Sequence, residues 1–231
     1  MTDARATAAV AALLGDESRA AMCLAMLDGG RWCISDLAAE ASVGMAAASE
    51  HVTRLVGGGL VTAETEGRHK YVRLASPDVA RLLETLGALG EPERPRSLRA
   101  ARERRRLATA RSCYDHLAGR LGVAVHDAML DRRLLHRRGG IGVTRKGRDW
   151  FADLDVDLDQ GHGRRVFVGE CVDLTERRPH LAGHVGAVLL DVFAREGWVR
   201  RPDRTRALVL TPSGEHAVHD RLGIGPADLT V

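Results

Sequence analysis

Aromatic residues are scarce, at 3% of 231 positions, so any core must be built from aliphatic side chains and alanine. Lysine is scarcer still: it stands only at positions 70 and 146, and every other basic residue is arginine. No apolar run approaches the roughly 18 residues that would read as a membrane span. The start, Met1-Thr2-Asp3-Ala4-Arg5, has no charged-then-apolar signal pattern. The expectation is therefore a cytoplasmic protein with no membrane partner. Cysteine occurs only as Cys23, Cys33, Cys113 and Cys171, too sparse for the disulfide framework of a secreted chain. In a reducing compartment such residues are buried thiols, metal ligands or redox sensors. A strong charge of one sign is missing too. With 34 basic and 31 acidic residues the net charge is +3, which excludes a histone-like chain and does not by itself announce nucleic acid.

What is present is an ordinary core-forming composition, 45% hydrophobic and 28% charged, at a length that suits one or two domains. Residues 4–14 are an alanine/leucine helix. Asp16 opens a second helix over 16–28, closed by Gly29-Gly30. Ser35 caps a short third helix, Ser42-Val43-Gly44 is a turn, and residues 45–57 form a fourth helix ended by three glycines. Two strand-like runs, Leu60–Thr65 and Lys70–Leu74, flank Gly67, whose conformational freedom suits a hairpin turn. Ser76-Pro77-Asp78 opens a last helix, Val79 to Leu89. This is the order of a winged helix-turn-helix, in which the second helix of the turn enters the major groove and the hairpin meets phosphates or the minor groove.

The residues carrying that order resemble a known family. Leu13-Leu14-Gly15-Asp16-Glu17-Ser18-Arg19, Ser35-Asp36-Leu37-Ala38, Ala48-Ser49-Glu50-His51-Val52-Thr53-Arg54-Leu55 and Glu66-Gly67-Arg68-His69-Lys70-Tyr71 are similar to the ArsR/SmtB repressors. The resemblance runs unbroken over residues 4–90. It implies a homodimer joined mainly by the first and last helices of this domain, and operator binding that an effector weakens. On that basis Ser49, His51, Thr53 and Arg54 are the recognition-helix candidates, and Arg68, His69 and Lys70 the wing candidates. Alternatively, His51 and Thr53 merely face solvent or the core. The family's metal sites transfer poorly. Its paired cysteines before Asp-Leu become Cys33-Ile34-Ser35, and Val79–Leu89 has no histidine for the dimer-helix site. Cys33 alone cannot complete a soft-metal site.

Charge is unevenly spread. Residues 1–90 carry a net −3, residues 91–111 a net +5 and residues 112–231 a net +1. Glu91-Pro92-Glu93-Arg94-Pro95-Arg96 reads as a linker. Ser97 caps a following helix whose Arg99, Arg102, Arg104, Arg105, Arg106 and Arg111 point nearly all round. It is either a solvated connector or a phosphate-contacting segment beside the operator.

The last half contains a repeat. Residues 116–137 and 180–201 match at an offset of 64, with His-Leu-Ala-Gly at the head of each copy. Each copy is expected to be a helix, a hairpin-like stretch, then a helix starting at Thr-x-x-Gly (Thr144 to Gly147, Thr211 to Gly214). Such duplication argues for two winged-helix-like halves packed on each other. Cysteine precedes each head histidine. Cys113 and His116 are three apart, hence on one helical face, and Cys171 comes nine before His180. Two sulfur and two nitrogen donors suit tetrahedral Zn2+ or another soft divalent metal. A Cys113–Cys171 thiol switch and a purely structural role remain open, with Asp115 and Asp173 as partners for the imidazoles. The stretch Ala110 to Gly119, with the later Cys-x-Asp and Arg-Arg-Pro-His-Leu-Ala-Gly, also resembles extended ArsR-like regulators, and that resemblance implies no particular effector. Asp153, Asp155, Asp157 and Asp159 lack the glycine and distal glutamate of a calcium loop. Gly140 to Gly147 reads as a wing rather than a phosphate loop. Trp150, Phe151, Phe167, Phe193 and Trp198 are core or pocket residues.

The expected architecture is mainly α with small β wings. Residues 1–90 are the DNA-binding domain, 91–111 an arginine-rich linker helix, and 112–231 a duplicated sensor or dimerisation domain. The expected function is that of a non-enzymatic, dimeric transcriptional regulator, a repressor responding to a small effector or metal. The alternatives are a thiol-based redox regulator, a metal-dependent enzyme, and a winged helix that binds protein.

Overall fold

Asp16 opens the second helix as its side chain predicts, accepting the backbone N–H of Arg19 at 2.9 Å. The computed structural model describes all residues except Met1, Thr2, Arg68, Glu91 to Arg94, Arg96, His162, Arg164, Asp203, Arg204, Val231 and the His69 side chain. It separates into two units, residues 1–83 and 84–231.

In the first unit, α1 (Ala4–Leu14) ends where the Arg19 guanidinium donates to the carbonyls of Leu13 and Ala12 at 2.6 and 3.0 Å. A cation on the orphan carbonyls of a helix C-terminus is the favoured arrangement. Then come α2 (Glu17–Ala25), a 3-10 turn Met26–Asp28, β1 (Trp32–Cys33), α3 (Ile34–Glu40) and α4 (Met45–Gly57). Cys33, not Ser35, stands at the cap of α3, and Ser35 lies inside the helix. The strand β1 ends at Cys33 and the helix starts directly after it, two residues earlier than a cap at Ser35 would allow. A hairpin of β2 (Val61–Glu66) and β3 (His69–Leu74) follows, with β3 between β1 and β2. Gly67 makes its turn at φ +60°, and the register places Val61 opposite Leu74 and Glu66 opposite His69. Helix α5 (Pro77–Leu89) begins in this unit and ends in the next. The core is aliphatic as composition requires: Met22, Leu27, Leu37, Val52, Leu55 and Val72 are wholly buried.

The second unit opens with the arginine-rich helix α6 (Leu98–Thr109), capped by Ser97 at 3.1 Å. It packs on the helix Gly119–Asp131 inside this unit, so it is not a free-standing linker. Arg111 departs further from the expected solvated helix. The chain leaves helical conformation at Ala110, and Arg111 enters a strand with its side chain wholly buried.

The repeat is visible as structure, but its head is a hairpin rather than a helix. Copy one is β4 (Arg111–Cys113), β5 (His116–Ala118), α7 (Gly119–Asp131), β6 (Leu135–His136), β7 (Gly142–Val143) and α8 (Arg145–Ala152). Copy two is β8 (Gly169–Val172), β9 (Pro179–Ala182), α9 (Gly183–Arg195), β10 (Val199–Arg200), β11 (Val209–Leu210) and α10 (Pro212–Leu222), after which α11 (Pro226–Leu229) ends the chain. The shared glycines have specific duties. Gly119 and Gly183 start α7 and α9 at φ +71° and +77°, the left-handed region that glycine tolerates. The Thr-x-x-Gly signature is a cap: Thr144 and Thr211 accept the N–H of Gly147 and Gly214 at 2.9 and 3.1 Å. A Cβ on either glycine would lie 2.1 Å from a carbonyl, that of Leu134 or of Trp198. Leu121, Val125, Met129, Phe151, Val185, Leu189 and Phe193 from both copies share one core. Trp198 belongs to it, and Trp150 and Phe167 pack against it, so the aromatic side chains fill the interior.

Candidate functional site

The recognition helix is positioned by its apolar residues. Ala48, Val52 and Leu55 of α4 are buried, which leaves Met45, Ser49 and Thr53 exposed in a row along one flank. Thr53 Oγ1 donates to the Ser49 carbonyl at 2.8 Å. Arg54 is exposed further around the solvent side, in an ion pair with Glu50 at 2.6 Å. An exposed i,i+4 pair is weak, on the order of 0.3–0.5 kcal/mol, so it leaves the guanidinium available to a phosphate or base. His51 stands apart. At 100° per residue it lies 160° around the helix from Thr53, and it is half-buried close to Asp16. Lys70 is exposed in β3, opposite Thr65. Arg68 and the His69 side chain lie outside the described residues.

In the second unit the four sulfur and nitrogen candidates converge. Cys113 and His116 are direct cross-strand partners in the β4–β5 hairpin, and Cys171 and His180 in the β8–β9 hairpin. The same face of each two-stranded ribbon thus carries one thiol and one imidazole. The first hairpin turns through Tyr114 at φ +59°, a conformation usually given to glycine, which accounts for the helical expectation there. All four side chains are buried: Cys113 0%, His116 5%, Cys171 2% and His180 0% exposed. Ligand atoms of Cys113, His116 and His180 lie within 4.8 Å of one another. Cys171 packs with Cys113 in one small buried cluster, but its sulfur lies outside the group of three whose donor atoms are mutually within 4.8 Å. His180 Nε2 and His116 Nδ1 are 3.2 Å apart.

Glycine lets each helix lie against its own copy's hairpin: a Cβ on Gly122 would lie 2.4 Å from the Leu117 carbonyl, and one on Gly186 2.7 Å from that of Leu181. The same positions face the other copy's histidine, at 3.6 Å from His180 Cβ and 3.2 Å from His116 Cβ. Each copy's helix therefore seats the other copy's histidine. Burial pushes the Cys113 thiol well above its ordinary value. The Cys113 side chain, helped by His180, brings Cys171 down to about 6 against its own burial. Sulfur and imidazole nitrogen are donors that suit a soft divalent ion.

Composition and spacing did not reveal the ion network against this cluster. Arg111 Nη2 donates to Glu84 Oε2 and to Asp173 Oδ2, each at 3.1 Å, with all three side chains 0% exposed. Arg206 closes the set by pairing with Glu84 Oε1. Asp173 also accepts the N–H of Gly119 at 2.6 Å and of Glu176 at 2.9 Å. Its local signal was the Cys-x-Asp shared by both copies, but its partners stand 62 and 54 residues away. The equivalent Asp115 pairs with Arg165 instead. Of the remaining thiols, Cys23 is buried core, its thiol raised to about 12 by desolvation, and Cys33 is half-buried in β1. Among the described residues no helix is long and apolar enough to cross a membrane.

No protein-family model matches the chain. The uncharacterized HTH-type transcriptional regulator YdfF of Bacillus subtilis (strain 168) is 34% identical over 219 residues, 94% of this chain and 97% of that protein. A solution structure of the homodimeric winged helix-turn-helix DNA-binding domain (fragment 1–100) Mb0332 from Mycobacterium bovis, a possible ArsR-family transcriptional regulator, is 26% identical. It covers 41% of this chain and 95% of its own, with a TM-score of 0.35. The cadmium metal-sensor CMTR from Mycobacterium tuberculosis is 30% identical over 39% of this chain and 96% of its own, with a TM-score of 0.29.

Proposed function

Because this chain belongs to the helix-turn-helix transcriptional regulators, a family that binds DNA rather than catalysing a reaction, we propose that it is a dimeric, effector-responsive repressor of the ArsR/SmtB kind. The observation that carries the reading is α4 itself. It follows a short helix and turn, buries Ala48, Val52 and Leu55, and turns Ser49 and Thr53 outward with Arg54 further around the solvent side, immediately before a two-stranded wing. Ser49 and Thr53 are the base-reading side chains and Arg54 a base or phosphate contact, while Arg68, His69 and Lys70 supply the wing. His51 acts as a packing residue at the α2–α4 junction.

A second copy of the chain is supported by α1. Nine of its eleven residues are apolar, yet none is buried. Leu86 and Leu89 at the end of α5 are likewise 45% and 78% exposed. Isologous pairing through such helices removes this surface from water and sets two recognition helices one DNA turn apart.

The effector site on this reading is the Cys113/His116/Cys171/His180 cluster, holding Zn2+ or another soft divalent metal. What supports it is the closeness of donors from two separate hairpins in a dry interior, an arrangement that packing alone does not require. The packing of Cys113 and Cys171 in one buried cluster favours a second reading, a thiol-based switch at the same place. One experiment addresses these assignments. Mobility shifts with DNA from upstream of the gene are run with wild type, Arg54→Ala and Thr53→Ala, in the metal-free form, with zinc and with peroxide. Retarded wild-type complexes that weaken about 5–150-fold per variant support the DNA reading, corresponding to roughly 1–3 kcal/mol per lost contact. Unaltered migration of the wild type at low salt defeats it. Release by zinc selects the metal effector, and release by peroxide alone selects the thiol switch.

A further inference from the structure

Glu84, Arg111 and Asp173 are wholly buried, and Arg206 is nearly so, at 12%. Two cations and two anions make a neutral set, and removing that many charges from water is costly even when they are paired. Apolar residues of equal volume would commonly be as stable, so stability is a weak reason for such a set, and registry or switching is the better-attested use.

Its position points to what it registers. Arg111 is two residues before Cys113, on the same strand β4. Asp173 is two residues after Cys171, and its Oδ2 holds the N–H of Gly119, three residues after His116. The His180 ring lies between the two groups, its Nε2 toward His116 and its Nδ1 3.6 Å from Asp173 Oδ2. At 3.6 Å this is an electrostatic contact rather than a hydrogen bond, and among the described residues Nδ1 has no hydrogen-bond partner; a carboxylate on that side favours the proton on Nδ1, which leaves Nε2 for the cluster. At the other end Glu84 lies on α5, and its Oε2 also accepts the Leu174 N–H at 3.2 Å. Helix α5 runs unbroken from the winged-helix unit into this one, and Glu84 is the first residue past the boundary.

We infer that Asp173 is the positioning residue that orients His180 for the ion, and that Asp173, Arg111 and Glu84 together carry the occupancy of the cluster to α5. The inference rests on the cluster being the effector site. Filling it draws the His180 ring toward the ion, and Asp173 follows with Arg111, which holds Glu84 by the same nitrogen. One arrangement of the set accompanies the metal-free site and another the filled one. A ligand shifts DNA affinity only through such a difference between states.

The test uses the full chain in three forms: wild type, Asp173→Asn and Glu84→Gln. Zinc affinity is measured by chelator competition, and affinity for the upstream DNA by fluorescence anisotropy with and without zinc. For Asp173→Asn, zinc binding weakens by about 10–100-fold, the usual cost of losing a carboxylate behind a histidine ligand. For Glu84→Gln, zinc affinity and metal-free DNA affinity match wild type, while the ratio of DNA affinities without and with zinc collapses to one. In wild type that ratio is of the order of 5–150. If Glu84→Gln does not fold, Glu84→Gln/Arg206→Gln replaces it, since this pair of changes leaves the neutral Arg111–Asp173 pair intact. A wild-type ratio in the Glu84 variant, or undiminished zinc affinity in Asp173→Asn, overturns the inference. A wild type that binds zinc with no change in DNA affinity defeats the effector reading first, and that outcome needs no variant to be seen.

Discussion

Glu84 illustrates how far a single residue departs from its local context. In sequence it is one acid on an amphipathic helix; in the fold it is dry and held by two arginines. Burial opposes its ionisation, but Arg111 and Arg206 outweigh that and keep its carboxyl below the ordinary value of 4.5. Asp173, buried as well, is held far below 3.8 by Arg111 and by the N–H groups it accepts. Both carboxyls are depressed by folding, so their stabilisation is complete above the unfolded values and is lost as pH falls through 4.5 and further below. Thermal melts from pH 7 down to 3 should show a falling Tm. Glu84→Gln should shallow that acid limb, at a cost of about 3–5 kcal/mol at neutral pH for breaking a buried pair. An unchanged acid limb contradicts the assignment. Gly186 makes a second residue-scale prediction. A Cβ there would lie 2.7 Å from the Leu181 carbonyl and 3.2 Å from His116 Cβ. Gly186→Ala should lose about 1–3 kcal/mol in urea unfolding, the usual cost of overpacking. A change near zero would show that the hairpin and helix can part without penalty.

At the scale of elements, the winged helix was legible because local signals there agree with the fold. Asp16 caps, Gly67 turns, and the apolar spacing of 45–57 matches the buried face of α4. The repeat was legible in outline, through Thr caps and glycines whose neighbours are backbone. The head of each copy was not. Cys113 and His116 are three apart, which fits one helical face as well as a tight hairpin, and Tyr114 gives no glycine signal for the turn it makes. Arg111 departs from its local signal for a different reason: its partners lie 27 and 62 residues away, beyond the reach of a charge count by segment. The wing and α4 should differ in how they respond to substitution. Lys70→Ala, at an exposed strand position, should weaken binding evenly across DNA sequences. It should also reduce the slope of log K against log salt by about 1. Thr53→Ala should instead relax preference at one base step and leave the slope unchanged. Equal effects on specific and scrambled DNA for both variants would contradict the division of labour.

For the molecule as a whole, scarcity of aromatics and a balanced charge conceal two different halves. The first is a small aliphatic unit that leaves the apolar helix α1 uncovered. The second closes two copies of one motif around thiols, imidazoles and a neutral ion network. The proposed dimer uses the first, and light scattering should give twice the 25.0 kDa chain mass. Val10→Glu in α1 should shift it toward monomer. The proposed regulation uses the second: on that reading the duplicated half answers a soft metal, and the winged half reports the answer as a change in DNA affinity. The most direct test is an anisotropy titration of the upstream DNA with full-length protein, once metal-free and once loaded with one zinc per chain. The account predicts tight, sequence-dependent binding without metal and weakening on the order of 5–150-fold with it. Superimposable isotherms from protein that demonstrably holds zinc would contradict it.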